Sequence, residues 1–386
     1  MLPSRRIILS GGDKFRDDYS VAFDGTDDYV AIGKNANLYP NDADWSVSLW
    51  FKSTTTENDY LISGGDESDK GHFAFRLRGD DGGYIRTFLY DHDNSQELSF
   101  NSTATGLNDG AWHHMVYTLD WSDSKRGRVS IDGVQSQTST NANVVTLTND
   151  DDGIHIGKRY KQTSGTYEFT GNISDVAIYN RRLTRPEIAT IYNGRQPYNH
   201  MEPTAFSPYL KGWWRMGDGT YDHFDNSLDN GTGNRGLITD ESNPGFGPEL
   251  LTNGGFDSDS GWTKGSGWSI GSGVATRASG ESSNSSLTYN ASDAVTAGNI
   301  YKYSFNANNT AGNSSLYIGG TTVDSSMDPD NASISGYVLS TNSSEVTYYG
   351  LTSMEGTLDN FSVKLVDGNP GIMVNMASAD IVGDTP

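Results

Sequence analysis

Ser20-Val-Ala-Phe-Asp-Gly-Thr-Asp-Asp-Tyr-Val30 and, far later, Gly171-Asn-Ile-Ser-Asp-Val-Ala-Ile-Tyr-Asn-Arg-Arg-Leu-Thr184 decide the reading of this chain. Both are strand-like runs next to turn-forming residues, about 150 residues apart. Working inward, Trp45-Ser-Val-Ser-Leu-Trp-Phe51 alternates, with Trp45, Val47, Leu49 and Phe51 on one face. Phe73-Ala-Phe-Arg-Leu77 alternates in the same way, and Ala111 to Leu119 is apolar on both faces, as in a central strand. Val129-Ser-Ile131 meets Asp132-Gly133, a hairpin turn signal, and Ile154-His-Ile156 is another short strand. Short strands at this spacing predict a two-sheet sandwich. One helix is predicted: Thr184 caps, Pro186 sits in the first turn, Glu187 reaches back, and Asn193-Gly194 closes it.

Composition agrees with an all-β chain. Of 386 residues, 45 are Gly and only 34% are apolar, while aromatics reach 11% and let flat rings fill a thin core. The net charge of −22 argues against nucleic acid, whose phosphates need clustered Lys and Arg. It suits solubility in salt and carboxylates for Ca²⁺. With no cysteine, disulfide frameworks and Cys-based zinc sites are excluded. The first ten residues hold only a three-residue apolar run, too short for a signal peptide, so export by that route is not expected. No 18-residue apolar run suggests a membrane span.

Five motifs in order carry a family resemblance: Phe23 to Val30, Ser46 to Trp50, Gly110-Ala-Trp-His-His-Met-Val116, Ile131-Asp-Gly133 and Asn172 to Tyr192. Together they resemble the laminin-G-type (concanavalin A-like) jelly-roll family, which implies a lectin-like sandwich and a Ca²⁺ site. A later group, Leu251-Thr-Asn-Gly-Gly-Phe256, Gly261-Trp262, Gly267-Trp-Ser-Ile270 and Leu358-Asp-Asn-Phe-Ser-Val-Lys-Leu365, resembles the galactose-binding-like jelly roll of carbohydrate-binding modules. The expected layout is an arm at 1–17, a sandwich at 18–199, a connector with an extra strand at 200–248, a second jelly roll at 249–367 and a tail at 368–386. The extra strand, within Tyr209 to Gly219, resembles one that usually precedes the family's first strand, and here follows the domain. It is expected to complete the sandwich or to pair with a neighbouring subunit. The tail resembles a continuation of the Trp213-Trp214 segment in marine tailed-phage virion proteins, which would make the second jelly roll an insertion.

The candidate sites follow from chemistry. Ca²⁺ takes six to eight oxygens, largely from Asp and backbone carbonyls. The resemblance makes the strands of Asp24 and Asp175 neighbours, with Asp27 and Asp28 on the adjoining turn, and it matches Asp257 and Asp359 to positions that often flank Ca²⁺ in carbohydrate-binding jelly rolls, so these are the candidate ligands. The plainer alternative is that Asp27 and Asp28 make the turn and Asp175 bonds a backbone amide. Asp359 shares strand parity with Phe361, Val363 and Leu365, so it is expected to need a partner on an apolar face. Trp121, Trp262, Trp268, Tyr348 and Tyr349 are the candidate sugar-stacking rings, although most sandwich aromatics are core. Asp150-Asp151-Asp152 reads as a solvated loop. His113 and His114 face opposite ways on a strand and cannot share a metal.

Glycosidase strands place acids at alternating positions, and Glu57-Asn-Asp59 and Glu67-Ser-Asp69 come closest while lacking the third acid. A non-enzyme is therefore expected. The resemblance implies a tailed-phage virion protein (capsid decoration, head fibre or tail fibre), located in the virion. Its expected partners are other virion proteins, copies of itself as a homo-oligomer (a trimer), and host-surface glycans. The alternatives are a free carbohydrate-binding lectin of a marine bacterium and an unrecognised member of a polysaccharide-degrading family.

Overall fold

The computed structural model describes residues 15–65, 71–144, 147, 153–159, 167–224, 235–289, 295–330, 332–343 and 345–386. The chain divides into two compact units. The first is discontinuous, taking the chain up to Asp225, then Asn234–Pro244 and Gly368–Pro386; the second is built on Gly245–Asp367.

Two antiparallel sheets face each other in the first unit. One runs, in order, Val134–Thr140, Arg126–Ile131, Trp112–Asp120, Trp45–Lys52, Thr170–Tyr179, Ser20–Asp24 and Ile381–Val382, with Leu210–Trp214 also paired to Thr170–Tyr179. The other runs Arg235–Ile238, Gly371–Val374, Tyr29–Ile32, Ile154–Ile156, Asn58–Gly64, Gly71–Arg78, Tyr84–Asp91 and Gln96–Asn101. The two opening motifs are neighbours: Val21 lies opposite Ile173, and Asp24 opposite Thr170. Between the sheets lie Trp45, Val47, Leu49 and Phe51, with Phe73, Phe75, Leu77, Met115, Tyr117 and Leu119, as their alternation predicts.

The Trp45–Lys52 strand buries its other face as well. A third layer covers that face: Ile188 and Ile191 of the Arg185–Tyr192 helix, with Phe206, Leu210 and Trp213. The helix starts as its sequence predicts, with Thr184 N–H and Oγ1 both donating to Glu187 Oε2, and it ends at Asn193, φ 47°. Asp132 and Gly133 take φ of 50° and 77°, the left-handed pair that a two-residue hairpin turn requires.

Segments on both sides of the second unit contribute strands to the first. Ala177 lies opposite Trp213, Leu237 opposite Ile372, and Val21 opposite Ile381. Trp214 and Met216 from the 200–248 segment, and Met373 and Met376 from the tail, are part of the same core. The boundary at residue 199 therefore does not close this sandwich, because its edges are completed by residues before and after the second unit.

The second unit is also a two-sheet sandwich. Trp268–Gly271, Val274–Arg277, Glu355–Val366, Ile300–Ala311 and Ala332–Leu339 form one sheet, with Phe246–Glu249 paired to Glu355–Val366. Trp262–Lys264, Ser285–Tyr289, Val346–Gly350, Ser314–Ile318 and Thr321–Met327 form the other. Its core holds Phe256, Trp262, Trp268, Tyr303, Phe305, Leu316, Tyr348 and Phe361. Gly254 lies so close to this strand that a Cβ there would sit 1.7 Å from the Phe361 carbonyl oxygen, which leaves room for glycine alone. No helix among the described residues is long and apolar enough to cross a membrane.

Candidate functional site

On the outer face of the five-stranded sheet of the second unit, alternation turns Tyr317 and Tyr349 away from the core while Leu316 and Tyr348 point in. The two outward rings meet edge to face, centroids 5.3 Å apart and 79° between planes. They line a depression of about 410 Å³ with Asn284, Ser315, Gly320, Glu345, Thr347 and Leu351. Thr347 and Ser315 are buried although they face outward, so the surface is recessed there. Two perpendicular aromatic faces ringed by hydroxyl, amide and carboxylate groups suit a polar ligand that also carries flat C–H surfaces.

Of the candidate rings, Tyr349 lies on this outer face, whereas Trp262, Trp268 and Tyr348 lie in the core. Trp262 stacks on Phe361 at 5.8 Å and donates Nε1–H to the Asn253 carbonyl. Trp268 donates to the Ser285 carbonyl, and Tyr348 is fully buried with its hydroxyl on Ser314 Oγ. All three are core rings whose polar ends are already bonded, leaving no face for a sugar. Trp121 is half-buried against the first unit's core, beneath Lys125 Nζ at 4.9 Å.

A second aromatic surface escaped the sequence reading. On the outer face of the first unit, Phe88 and Tyr90 lie side by side on Tyr84–Asp91, 6.0 Å apart and 4° from parallel. His72 packs on both, and His92 meets Tyr90 at 4.9 Å. Arg76 lies directly across from Arg86 in the same face. The signal for this strip was the outward parity of Phe88 and Tyr90, which alternate with the core residues Ile85 and Leu89.

The acids separate. Asp24, Asp27 and Asp28 place carboxylate oxygens within 4.8 Å of one another at the turn after Ser20–Asp24, the one such acidic group among the described residues. Asp28 Oδ2 accepts from Asp24 N–H and Asp24 Oδ1 from Thr26 N–H, so the turn holds the group together. Burial pushes the Asp28 carboxyl up to about 7, and Asp24, Asp380 and Asp27 add repulsion. Three converging carboxylates fit Ca²⁺.

Asp175 is not part of that group. Its strand neighbours Ser20–Asp24, but Asp24 lies opposite Thr170, five residues earlier. A register shift between Ser174 and Ala177, with Asp175 at φ 52°, turns its carboxylate into the third layer. There it accepts from Trp213 Nε1–H at 2.5 Å and pairs with His200 Nε2 at 3.2 Å, while His200 Nδ1 meets the Tyr179 hydroxyl. Burial raises this carboxyl, but the His200 contact and the Trp213 hydrogen bond outweigh it and hold the carboxyl below its usual value.

Asp257 and Asp359 join no acidic group. The parity expected for Asp359 fails because of a register shift between Ser304 and Asn306, with Asn360 at φ 51°. Leu358 and Phe361 therefore both face inward, while Asp359 bonds the amide and side chain of Asn360 near the surface. Asp150-Asp151-Asp152 and Glu67-Ser-Asp69 lie outside the described residues. Asp59 is buried and accepts from Thr170 N–H, so it serves as a structural acceptor. His113 and His114 point apart, as read from the sequence: His113 to Asp132 and Asp109, His114 to Ser48.

Residues 24–189 match the model of the concanavalin A-like lectin/glucanases superfamily, of the laminin-G type, and the first unit has the two-sheet sandwich form of such a domain. The chain as a whole has an all-β, lectin-like jelly-roll fold. No curated protein matches it. A pentraxin from Limulus polyphemus is similar at 14% identity and TM-score 0.35, over 46% of this chain and 82% of that one. A putative carbohydrate-binding protein from Bacteroides ovatus is similar at 14% identity and TM-score 0.42, over 59% of this chain and 56% of that one. The CBM40 of a Ruminococcus gnavus sialidase is similar at 14% identity and TM-score 0.35, over 45% of this chain and 96% of that one.

Proposed function

We propose that the chain is a non-enzymatic glycan-binding protein whose principal site is the recess around Tyr317 and Tyr349. The observation that carries this reading is the perpendicular tyrosine pair in a concave, polar-rimmed surface of monosaccharide to disaccharide size. On a glycan array with purified full-length protein, a defined sugar set is bound without release of cleaved product. Tyr349→Ala and Tyr317→Ala each weaken that binding by about tenfold, equivalent to about 1.4 kcal/mol. Equal binding by wild type and both variants sinks this site. The parallel Phe88–Tyr90 pair supports a second sugar surface, and in that case Phe88→Ala reduces binding while the tyrosine variants do not.

Calcium belongs to the same proposal. Asp24, Asp27 and Asp28 would hold the ion and fix the turn between two strands, and the ion would supply positive charge to a crowded carboxylate group. Millimolar Ca²⁺ is expected to raise the melting temperature relative to EDTA, more than Mg²⁺ does, and Asp27→Asn is expected to remove the rise. Identical melting in Ca²⁺ and EDTA rules the ion out.

We place the protein on a tailed-phage particle, supported by the resemblance of its tail and the Trp213-Trp214 segment to marine tailed-phage virion proteins, and expect a symmetric homotrimer. Light scattering is expected to give three times the 41.9 kDa chain mass. A stable monomer favours the free-lectin alternative.

A further inference from the structure

We propose that the first unit holds a pocket for one oxyanion group, a sulfate, phosphate or carboxylate, clasped by Arg128, Arg182 and Arg185. The pocket has a volume of about 380 Å³. Thr118 and Ser130 form its floor on the outer face of the sheet, Gln135 its edge, and Leu183 and Ile188 its apolar wall. Strand parity puts Arg128 on that outer face, since Val129 and Ile131 point into the core. The segment entering the Arg185–Tyr192 helix brings Arg182 and Arg185 over it.

The charges here do not balance. Asp120 Oδ2 is shared, 3.6 Å from Arg128 Nη1 and 3.3 Å from Arg182 Nε. Asp123 is likewise shared by Arg126 and Arg128. Arg185 donates Nε–H and Nη2–H to Gln135 Oε1, a neutral acceptor. Four guanidinium groups thus face two carboxylates, on a chain whose overall charge is −22. Arg128 Nη1 is buried without a hydrogen-bond partner, and burial together with Arg182 lowers the pKa of that guanidinium.

Fastening the helix to the sheet accounts for the Arg185–Gln135 and Arg182–Asp120 contacts. It leaves the excess positive charge unexplained, and Arg128 Nη1, at ion-pair distance from Asp120, still without a hydrogen bond. A planar or tetrahedral oxyanion matches guanidinium forks and hydroxyl donors together. The acidic surface elsewhere repels a long polyanion, so the pocket suits a single charged group. This inference does not depend on the tyrosine site.

The test titrates full-length protein with sodium sulfate at constant ionic strength, balanced by chloride, and separately with glucose and glucose 6-sulfate. Binding is read by calorimetry and by the amide spectrum. Saturable sulfate binding is expected, at least fivefold weaker in Arg182→Gln/Arg185→Gln. Both arginines are partly or fully exposed, and an unchanged urea midpoint establishes that this variant folds. Glucose 6-sulfate binding as tightly as sulfate, with glucose silent, assigns a sugar ester as the source; sulfate alone assigns the free anion. Absence of saturation, or equal affinity in wild type and variant, overturns the pocket.

Discussion

Asp175→Ala is expected to destabilise the first unit by about 3–5 kcal/mol, the range for removing one partner of a buried ion pair. Asp175 and His200 are both fully buried. The substitution leaves Trp213 Nε1–H and His200 Nε2 without their carboxylate partner. The Tyr179–His200 contact and the Trp213 ring, which lies 5.3 Å from His200, lose their anchor as well. The Leu210–Trp214 strand is held to Thr170–Tyr179 in this same place, so the strand contributed from beyond residue 199 would loosen first. For a unit of this size a loss of about 4 kcal/mol lowers the melting temperature by about 10 °C. Urea melts of the full chain measure it; a loss below about 1 kcal/mol would mean that the network carries little of the stability.

His114 governs a second large effect, in acid. Burial drives its pKa down to about 3, with Asp175 pulling upward and His200 pushing further down. A depressed histidine stabilises the fold above its unfolded value of about 6.5, and that stability is lost as pH falls, because only the unfolded chain takes up the proton. Between pH 6.5 and pH 4 the loss reaches about 3 kcal/mol. His114→Phe keeps a ring against Trp50 and Tyr192 and gives up only the Ser48 hydrogen bond. The raised carboxyls work in the opposite sense: Asp222, pushed up to about 6 by burial, favours the folded state as pH falls towards 4. They do so equally in both proteins, so the difference between the two isolates the histidine. The stability gap between wild type and His114→Phe is expected to move by about 3 kcal/mol in favour of the variant from pH 7 to pH 4. A gap that stays constant would mean that His114 becomes protonated inside the fold.

Local chemistry reaches the sequence directly, and that part of the protein was legible there. The alternation of Trp45 to Phe51, the Asp132-Gly133 turn and the Thr184/Glu187 cap each depend on residues within a few positions of one another. The two-sheet sandwich follows from them, and the family resemblance adds the jelly-roll class. The acidic turn at Asp24, Asp27 and Asp28 was legible for the same reason, being a single local segment.

What failed depended on register. One extra residue in a strand reverses the face of everything after it, and no local pattern announces it. The shift at Asn360 took Asp359 off the apolar face, and the shift after Ser174 turned Asp175 into the third layer, while pairing of Asp24 with Thr170 left it five residues from the calcium turn. Long-range pairing had the same standing. Trp262 and Trp268 look in sequence like Tyr349, and only their packing against Phe361 and Tyr348 makes them core. The sequence by itself determined the all-β class, the turns, the helix cap and the local carboxylate group. The tertiary structure alone decided which strands complete which sandwich, which rings face outward, and where the buried charges find partners, because those outcomes depend on residues brought together from distant parts of the chain.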